Sequence, residues 1–491
     1  MVSSPRRIAV ACAVLALSGC ARNPVTGRPQ VTLVSEAKER ELSEEEARRV
    51  AETMGLYDDP ALAAYVRAVG ERLARVSPRQ GLPYDFQVVD MKEPNAFALP
   101  AGQVYVSRGL VALLNSEDEL AGVLGHEVGH VAARHSAQRA TRAAPIGILT
   151  GLGAGVTGII SPTLGDLVGG IGGFAGALVL APYSRGQERE ADEVGQDLTA
   201  KAGWDPAGLP ASLRTLERED ALHPGEKRPA SFFSTHPPLP DRVVDTEERA
   251  ARLMRTTAAP IAGSRAAFLR KLDGLVVGPR ARDGVFDGQT FRQPDLDFHV
   301  QFPAGWKTVN ERSIVGAGAP DGRAVIGLEV AGDGNDPEAA LRDFERKTKL
   351  DLASPERLTI NGLPARHATA TARTRGGRVA LDLTWIAHAG HVYRFTGVAE
   401  PDAMAASAPL FRATTGSFRP LASAERAAIR ETRLRIVSAR RGDTLADVLA
   451  RAHSSWNVAT AAVANGLDGN SPLEAGQPLK VAVSERYTPA R

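Results

Sequence analysis

The sequence predicts a multidomain chain: a mainly α domain with a small edge β-sheet, an antiparallel α+β domain, and a closing βααβ module. Three observations predict it. In the first half apolar residues recur at helical spacing, as in Leu62, Tyr65, Val66, Val69 and Leu73. From Leu296 onward the pattern alternates as in strands. After Leu434 comes a strand, two short helical runs and another strand. A chain of 491 residues exceeds one ordinary domain and accommodates the division. A formal charge of +2 with no long basic run argues against nucleic acid as a partner.

The N-terminus reads as a targeting segment. Arg6 and Arg7 precede the apolar stretch Ile8 to Leu17, which is too short to span a bilayer as a stable helix. It ends in Leu17-Ser18-Gly19-Cys20, which resembles the lipobox of bacterial lipoproteins. That resemblance implies a signal peptide at 1–19 and a lipid on Cys20. Ala21, where Asp would retain the protein, implies sorting to the outer membrane. Cys12 lies in the removed stretch, so the mature chain has no thiol nucleophile and no thiolate metal site.

Asn23 to Gly27 is turn-rich and reads as a tether. Ser35 to Met54 reads as a helix with Ser43 and Glu46 as a capping box, and Pro60 to Val76 as a second helix. Tyr84 to Asp90 is strand-like. Asn95 to Gly102 and Gln103 to Ser107 then read as a hairpin, with Pro100 suited to a sheet edge. An edge strand at Asn95, Ala96, Phe97 and Ala98 is a candidate for binding an extended peptide by strand addition.

The chemistry centres on Gly125-His126-Glu127-Val128-Gly129-His130, in a helical run from Ser116 to Gln138 that Ser116 and Glu119 cap. Four residues advance a helix by about 400°, so the two imidazoles face the same way, one turn apart, as metal ligands would. Glu127 lies between them in angle, where a general base for a water molecule belongs. His135 follows His126 by about 900° on the same helix, which places it on the opposite side as a structural residue. Ala133 and Ser136 stand where a metzincin needs Gly and His.

The glycine-rich stretch Pro145 to Pro182 is broken by Pro162 and Asp166, and reads as a lid or packed helical hairpin near the site rather than a membrane span. Beyond it, Glu188 and Asp192 share a helix face, so Glu188 pairs coherently as third ligand with Asp192 behind a ligand imidazole. Glu190 faces away and is expected to pair with a basic residue.

An H-E-x-x-H followed at long distance by E-x-x-x-D resembles the gluzincin peptidases of the HtpX, BepA and CAAX prenyl endopeptidase family. Asn95-Ala96-Phe97 with Leu99-Pro100 resembles that family's edge-strand motif, although Ala101-Gly102 replaces its usual Gly-Gly. Ser234-Thr235-His236-Pro237 with Arg242 resembles its H-P…R motif. The likeness covers roughly residues 22 to 260. It implies one Zn²⁺ per chain on His126, His130 and Glu188, with Glu127 as base and then acid. It implies that His236 and Arg242 lie over the cleft and stabilise the oxyanion, or that His236 caps the zinc at rest. It also implies unfolded or misassembled envelope polypeptides as substrates.

In the second half, Leu296 to Phe302 is a strand ending in Pro303-Ala304-Gly305-Trp306, a turn that resembles PsbP-like domains. Strands at 325–330, 365–374, 378–388 and 391–399 and a helix at 337–350 complete an α+β accessory domain at 285–422. It carries no acid, base or nucleophile set and reads as an interaction module or spacer. The tail at 432–485 has Gly442-Asp443-Thr444-Leu445, Ala464-Asn465-Gly466-Leu467 and a closing strand from Leu473 to Val481, and resembles LysM. That implies a partner in N-acetylglucosamine-containing glycans such as peptidoglycan, or an envelope protein; the alternative is a module that only packs. The expected protein, with a peptidase domain at 20–265, is a lipid-anchored zinc metalloendopeptidase in the periplasm. The rival is a non-proteolytic zinc-containing chaperone or scaffold, against which the intact Glu127 argues.

Overall fold

The structure is a computed structural model. It describes residues 20–32, 34–139, 141, 182–226, 228, 231–374 and 377–489. The expected signal peptide and nearly all of the glycine-rich stretch lie outside the described residues. Among the described residues no helix is long and apolar enough to cross a membrane. The chain forms two compact units. Of the described residues, one joins those in 20–141 with those in 182–278 and 432–484; the other holds those in 279–431 and 485–489.

In the first unit the helix Pro60–Ala74 starts on Asp59, whose side chain caps Leu62 N. It buries Leu62, Val66, Val69 and Leu73 against a three-stranded sheet. That sheet pairs Asp85–Val89 parallel with Gln103–Ser107, and Ala96–Ala98 antiparallel with the other side of Gln103–Ser107. Ala96–Ala98 is therefore an edge strand. The helix Glu117–Ala132 is buried along almost its whole length, its charged and histidine side chains included.

Three expectations are corrected here. Ser43 does not start a helix: Glu36–Thr53 is continuous with Ser35 as its N-cap, and Ser43 Oγ accepts from Ala101 N. The run from Ser116 to Gln138 is not one helix. It ends at Ala132, and Arg134 takes a left-handed φ of 59°. The closing strand of the tail begins at Pro478 rather than Leu473, after a turn with Gly476 at φ 86°.

The tail runs strand, helix, helix, strand through Arg430–Ser438, Leu445–Arg451, Val458–Asn465 and Pro478–Arg486. It shares its core with the peptidase helices: Leu434 and Ala482 belong to the same apolar cluster as Leu62, Leu120 and Trp204. A buried lysine anchors it. Lys480 is 0% exposed, and its Nζ donates to the carbonyls of Ala112, Leu113 and Leu114 at 2.9, 2.9 and 2.8 Å. Those carbonyls lie at the C-terminal end of the helix Arg108–Leu113, so one ammonium takes up three acceptors there. Burial draws the ammonium down to about 7, and Glu119 opposes that fall.

The second unit is built on a seven-stranded antiparallel sheet in the order 353–360, 363–374, 377–388, 391–399, 324–333, 314–318, 307–311. Trp385 and Ile386 are neighbours on one strand and both fully buried, so both faces are covered. Pro337–Thr348 packs Leu341 and Phe344 with Trp385, and Met404–Gly416 packs Phe411 with Ile386.

Replacing Lys480 by Met keeps the volume but strands three carbonyls. The expected loss is about 3 kcal/mol of stability in urea unfolding of the full chain. A change below about 0.5 kcal/mol, the size of an ordinary surface substitution, would show that the tail rests on the peptidase helices without being anchored there.

Candidate metal centre

Two helices bring the site together, and small residues decide how near they come. Glu117–Ala132 carries Gly125 and Gly129; Arg185–Lys201 carries Ala191 and Gly195. A Cβ on Gly195 would lie 2.7 Å from His126 N, and one on Gly129 would lie 2.8 Å from Ala191 O. Ser184 caps the second helix in a capping box with Gln187, which fixes where its first turn begins. Glu188 and Asp192 then project from one face onto His126 and His130.

The donor atoms converge. His126 Nε2 and His130 Nε2 stand 3.0 Å apart, and Glu188 Oε1 is 3.4 Å from His130 Nε2. With His236 these residues place one ligand atom each within 4.8 Å of one another. All four side chains are 0–1% exposed. Two imidazole nitrogens facing each other at that distance can share one proton at most. Burial also pushes His130 well below its usual range, toward the neutral ring a ligand needs. Both oxygens of Glu127 are buried and lack a hydrogen-bond partner among the described residues. This set of two imidazoles and a carboxylate, without thiolate, fits a borderline divalent cation.

A shell of charge holds the ligands. His126 Nδ1 lies 2.9 Å from Asp192 Oδ1. Arg242 donates to Asp192 from Nε at 2.8 Å and from Nη2 at 2.7 Å, and its Nη1 stands 3.0 Å from Glu188 Oε2. Burial would raise the Asp192 carboxyl, but Arg242 and His126 hold it below its ordinary value. These contacts do not test the oxyanion expectation for Arg242; its planar fork faces two carboxylates, Asp192 and Glu188.

For His236 two roles were expected, an oxyanion donor or a cap on the metal position at rest, and its place is the one a cap would take. It stands inside the donor cluster, with Nδ1 3.1 Å from Glu188 Oε1 and 3.3 Å from His126 Nε2. Its Nε2 is 3.2 Å from Ala96 O and 3.5 Å from Glu127 Oε1. The same turn covers the edge strand. Phe232 N donates to Pro94 O, and Asn95, Ala96, Phe97 and Ala98 are all buried. Tyr183, which the sequence did not single out, stacks on His130 at 3.7 Å with the Arg139 guanidinium over its other side at 3.8 Å. The centre is closed in this conformation.

His135 is corrected too. The break at Arg134 swings it back, so its Nδ1 lies 2.9 Å from His130 Nδ1 instead of on the far side. It is not among the clustered donors.

Comparison with known proteins gives this geometry a setting. The profile of Peptidase family M48 matches residues 60–250. Metalloprotease YcaL of Escherichia coli K12 is 33% identical over 187 residues, which cover 37% of this chain and 70% of that protein. The beta-barrel assembly-enhancing protease of Yersinia pestis is 31% identical over 212 residues, 42% of this chain and 42% of its own. Mitochondrial metalloendopeptidase OMA1 of Schizosaccharomyces pombe is 32% identical over 232 residues, 46% of this chain and 65% of its own. The chain thus spans less than half the length of the beta-barrel assembly-enhancing proteases it matches. The solution structure of cyanobacterial PsbP from Synechocystis sp. PCC 6803 aligns with 28% of this chain and 95% of its own at 12% identity. Its TM-score of 0.24 decides nothing about the second unit.

Gly195→Ala would push the two ligand helices apart at their backbones. The expected result is a loss of about 1–3 kcal/mol of stability together with substoichiometric metal in the purified protein. Full metal content in that variant would mean that the close approach does not set the ligand geometry.

Proposed function

The chain belongs to Peptidase family M48, and from that premise we propose that it is a lipid-anchored zinc metalloendopeptidase of the bacterial envelope. Its proposed substrates are unfolded or misassembled envelope polypeptides. One observation carries the catalytic part. Glu127, unpaired by hydrogen bonds and fully buried, sits in the same wall as His126, His130 and Glu188.

Those three residues would hold the zinc, and Asp192 and Arg242 would keep the ligand shell in place. Bound zinc would supply Lewis-acid chemistry, acidifying the attacking water and polarising the scissile carbonyl. Glu127 takes the water's proton on its carboxylate and later returns a proton to the leaving amine. The substrate backbone adds to the edge strand Ala96–Ala98, whose outer side the turn at 232–236 covers in the closed form. The envelope setting is supported by the lipobox-like Leu17 to Cys20. A peptidoglycan or envelope-protein partner for the tail is supported by its G-D-T-L and A-N-G-L sequence patterns and its strand–helix–helix–strand order.

The position of His236 favours a second reading of the same site. Its Nδ1 fills the place of a fourth donor while its Nε2 reaches the Ala96 carbonyl that an incoming peptide needs. In this reading the closed form is the resting enzyme, and the 232–236 turn must withdraw before substrate enters.

Glu127→Gln is expected to lower cleavage of casein or an unfolded outer-membrane protein by at least ~100-fold with zinc content retained. Equal cleavage by variant and wild type would remove the assigned mechanism. His236→Ala is expected to keep its zinc and cleave unfolded polypeptide faster. A fall in kcat at unchanged KM would instead return His236 to the oxyanion.

A further inference from the structure

Beyond the ligands, buried His135, partly exposed Glu190 and buried Asn23 form a line that the mechanism above does not use. His130 can hold a metal through Nε2, the nitrogen that faces His126 and Glu188. Its Nδ1 then carries the proton and donates toward His135 Nδ1 at 2.9 Å. His135 must accept there, so its own proton sits on Nε2, 3.2 Å from Glu190 Oε2. The second Glu190 oxygen accepts from Asn23 Nδ2 at 2.6 Å. The Asn23 amide cannot be turned the other way, because its Oδ1 accepts from Val25 N at 2.8 Å and Thr26 N at 3.2 Å. Every proton along the line has one donor and one acceptor.

His126 shows the short form of the same arrangement, with Asp192 directly behind it. His130 has no carboxylate at its Nδ1. An imidazole is interposed, and the carboxylate stands one ring further out. His135 and Asn23 are both buried, at 0% and 6% exposure, and flank the Glu190 carboxylate, which is 25% exposed. Helical spacing hides the relation: Glu190 points away from Glu188, and only the left-handed Arg134 turns His135 back to meet it.

We propose that His135 and Glu190, fixed from behind by Asn23, are positioning residues for the metal ligand His130. They form a carboxylate–imidazole relay that holds its tautomer and ring direction. The inference rests on the metal-site reading above. It also makes the segment that follows Cys20 part of the metal centre, since Asn23 is the outermost member.

The test uses the full mature chain and measures zinc affinity by chelator competition, with cobalt(II) absorption as a second readout and thermal midpoints of the metal-free forms. Glu190→Ala is expected to weaken zinc binding by ~10–100-fold, the range for such outer partners. Glu190→Gln should fall between it and wild type, since its amide oxygen still accepts from His135 without the charge. Asn23→Ala should move affinity in the same direction by less. All three should shift the cobalt spectrum while the metal-free midpoints stay at the wild-type value. Glu193→Ala, exposed on the same helix, should change nothing. The proposal is overturned if the Glu190 variants bind zinc as wild type does while Glu188→Ala loses it. It is equally overturned if Glu190→Gln loses affinity only in step with its metal-free midpoint, which would mark a purely structural residue. Normal zinc binding by Glu188→Ala would sink the metal-site reading itself, a distinguishable failure.

Discussion

The metal centre depends on how closely two helices approach. Helix pairs in globular proteins ordinarily lie about 8–10 Å apart, set by the side chains between them. Here Gly125, Gly129, Ala191 and Gly195 thin the seam until backbone meets backbone. That permits His126 and His130 from one helix and Glu188 from the other to reach a common point. A ligand set on rigid elements holds its geometry better than one on loops. The seam provides that rigidity.

Close packing has an electrostatic cost. It buries Glu127, Glu188, Asp192, Arg242, His126, His130 and His236 together with almost no solvent exposure. Buried charges are tolerable only when each has partners. The structure meets this with fixed pairs: Asp192 with Arg242, Glu190 with His135, and Glu39 with both Arg79 and Arg134. Arg134 thereby ties the end of the histidine helix to Glu36–Thr53 at the point where its left-handed φ redirects the chain. Among the described residues both Glu127 oxygens lack a hydrogen-bond partner, as suits the proton carrier it is proposed to be.

Much of this was legible in the sequence, and the illegible part has a common cause. The i,i+4 pairs His126–His130 and Glu188–Asp192 are local helical geometry, which spacing alone encodes. The edge strand at Ala96–Ala98 was legible from alternation and Pro100. His135 was misplaced because extrapolating a helix past Ala132 assumes that it continues, and a non-glycine left-handed residue such as Arg134 gives no sequence warning. Ser43 looked like a cap because Ser and Glu at that spacing also fit a helix interior whose serine serves a distant loop. The bracing by Arg242, the stacking of Tyr183 and the reach of Lys480 to a helix end are long-range contacts, and no local pattern marks them.

His236 stands among the ligands and on the edge strand at once, so one displacement would free a metal position and expose a backbone for pairing. Zinc-edge X-ray absorption on the full chain, comparing wild type with His236→Ala, tests this most directly. The account predicts three imidazole nitrogens at about 2.0–2.1 Å with carboxylate oxygen and no sulfur in wild type, and two imidazoles with additional oxygen in the variant. The same imidazole count in both proteins would contradict it.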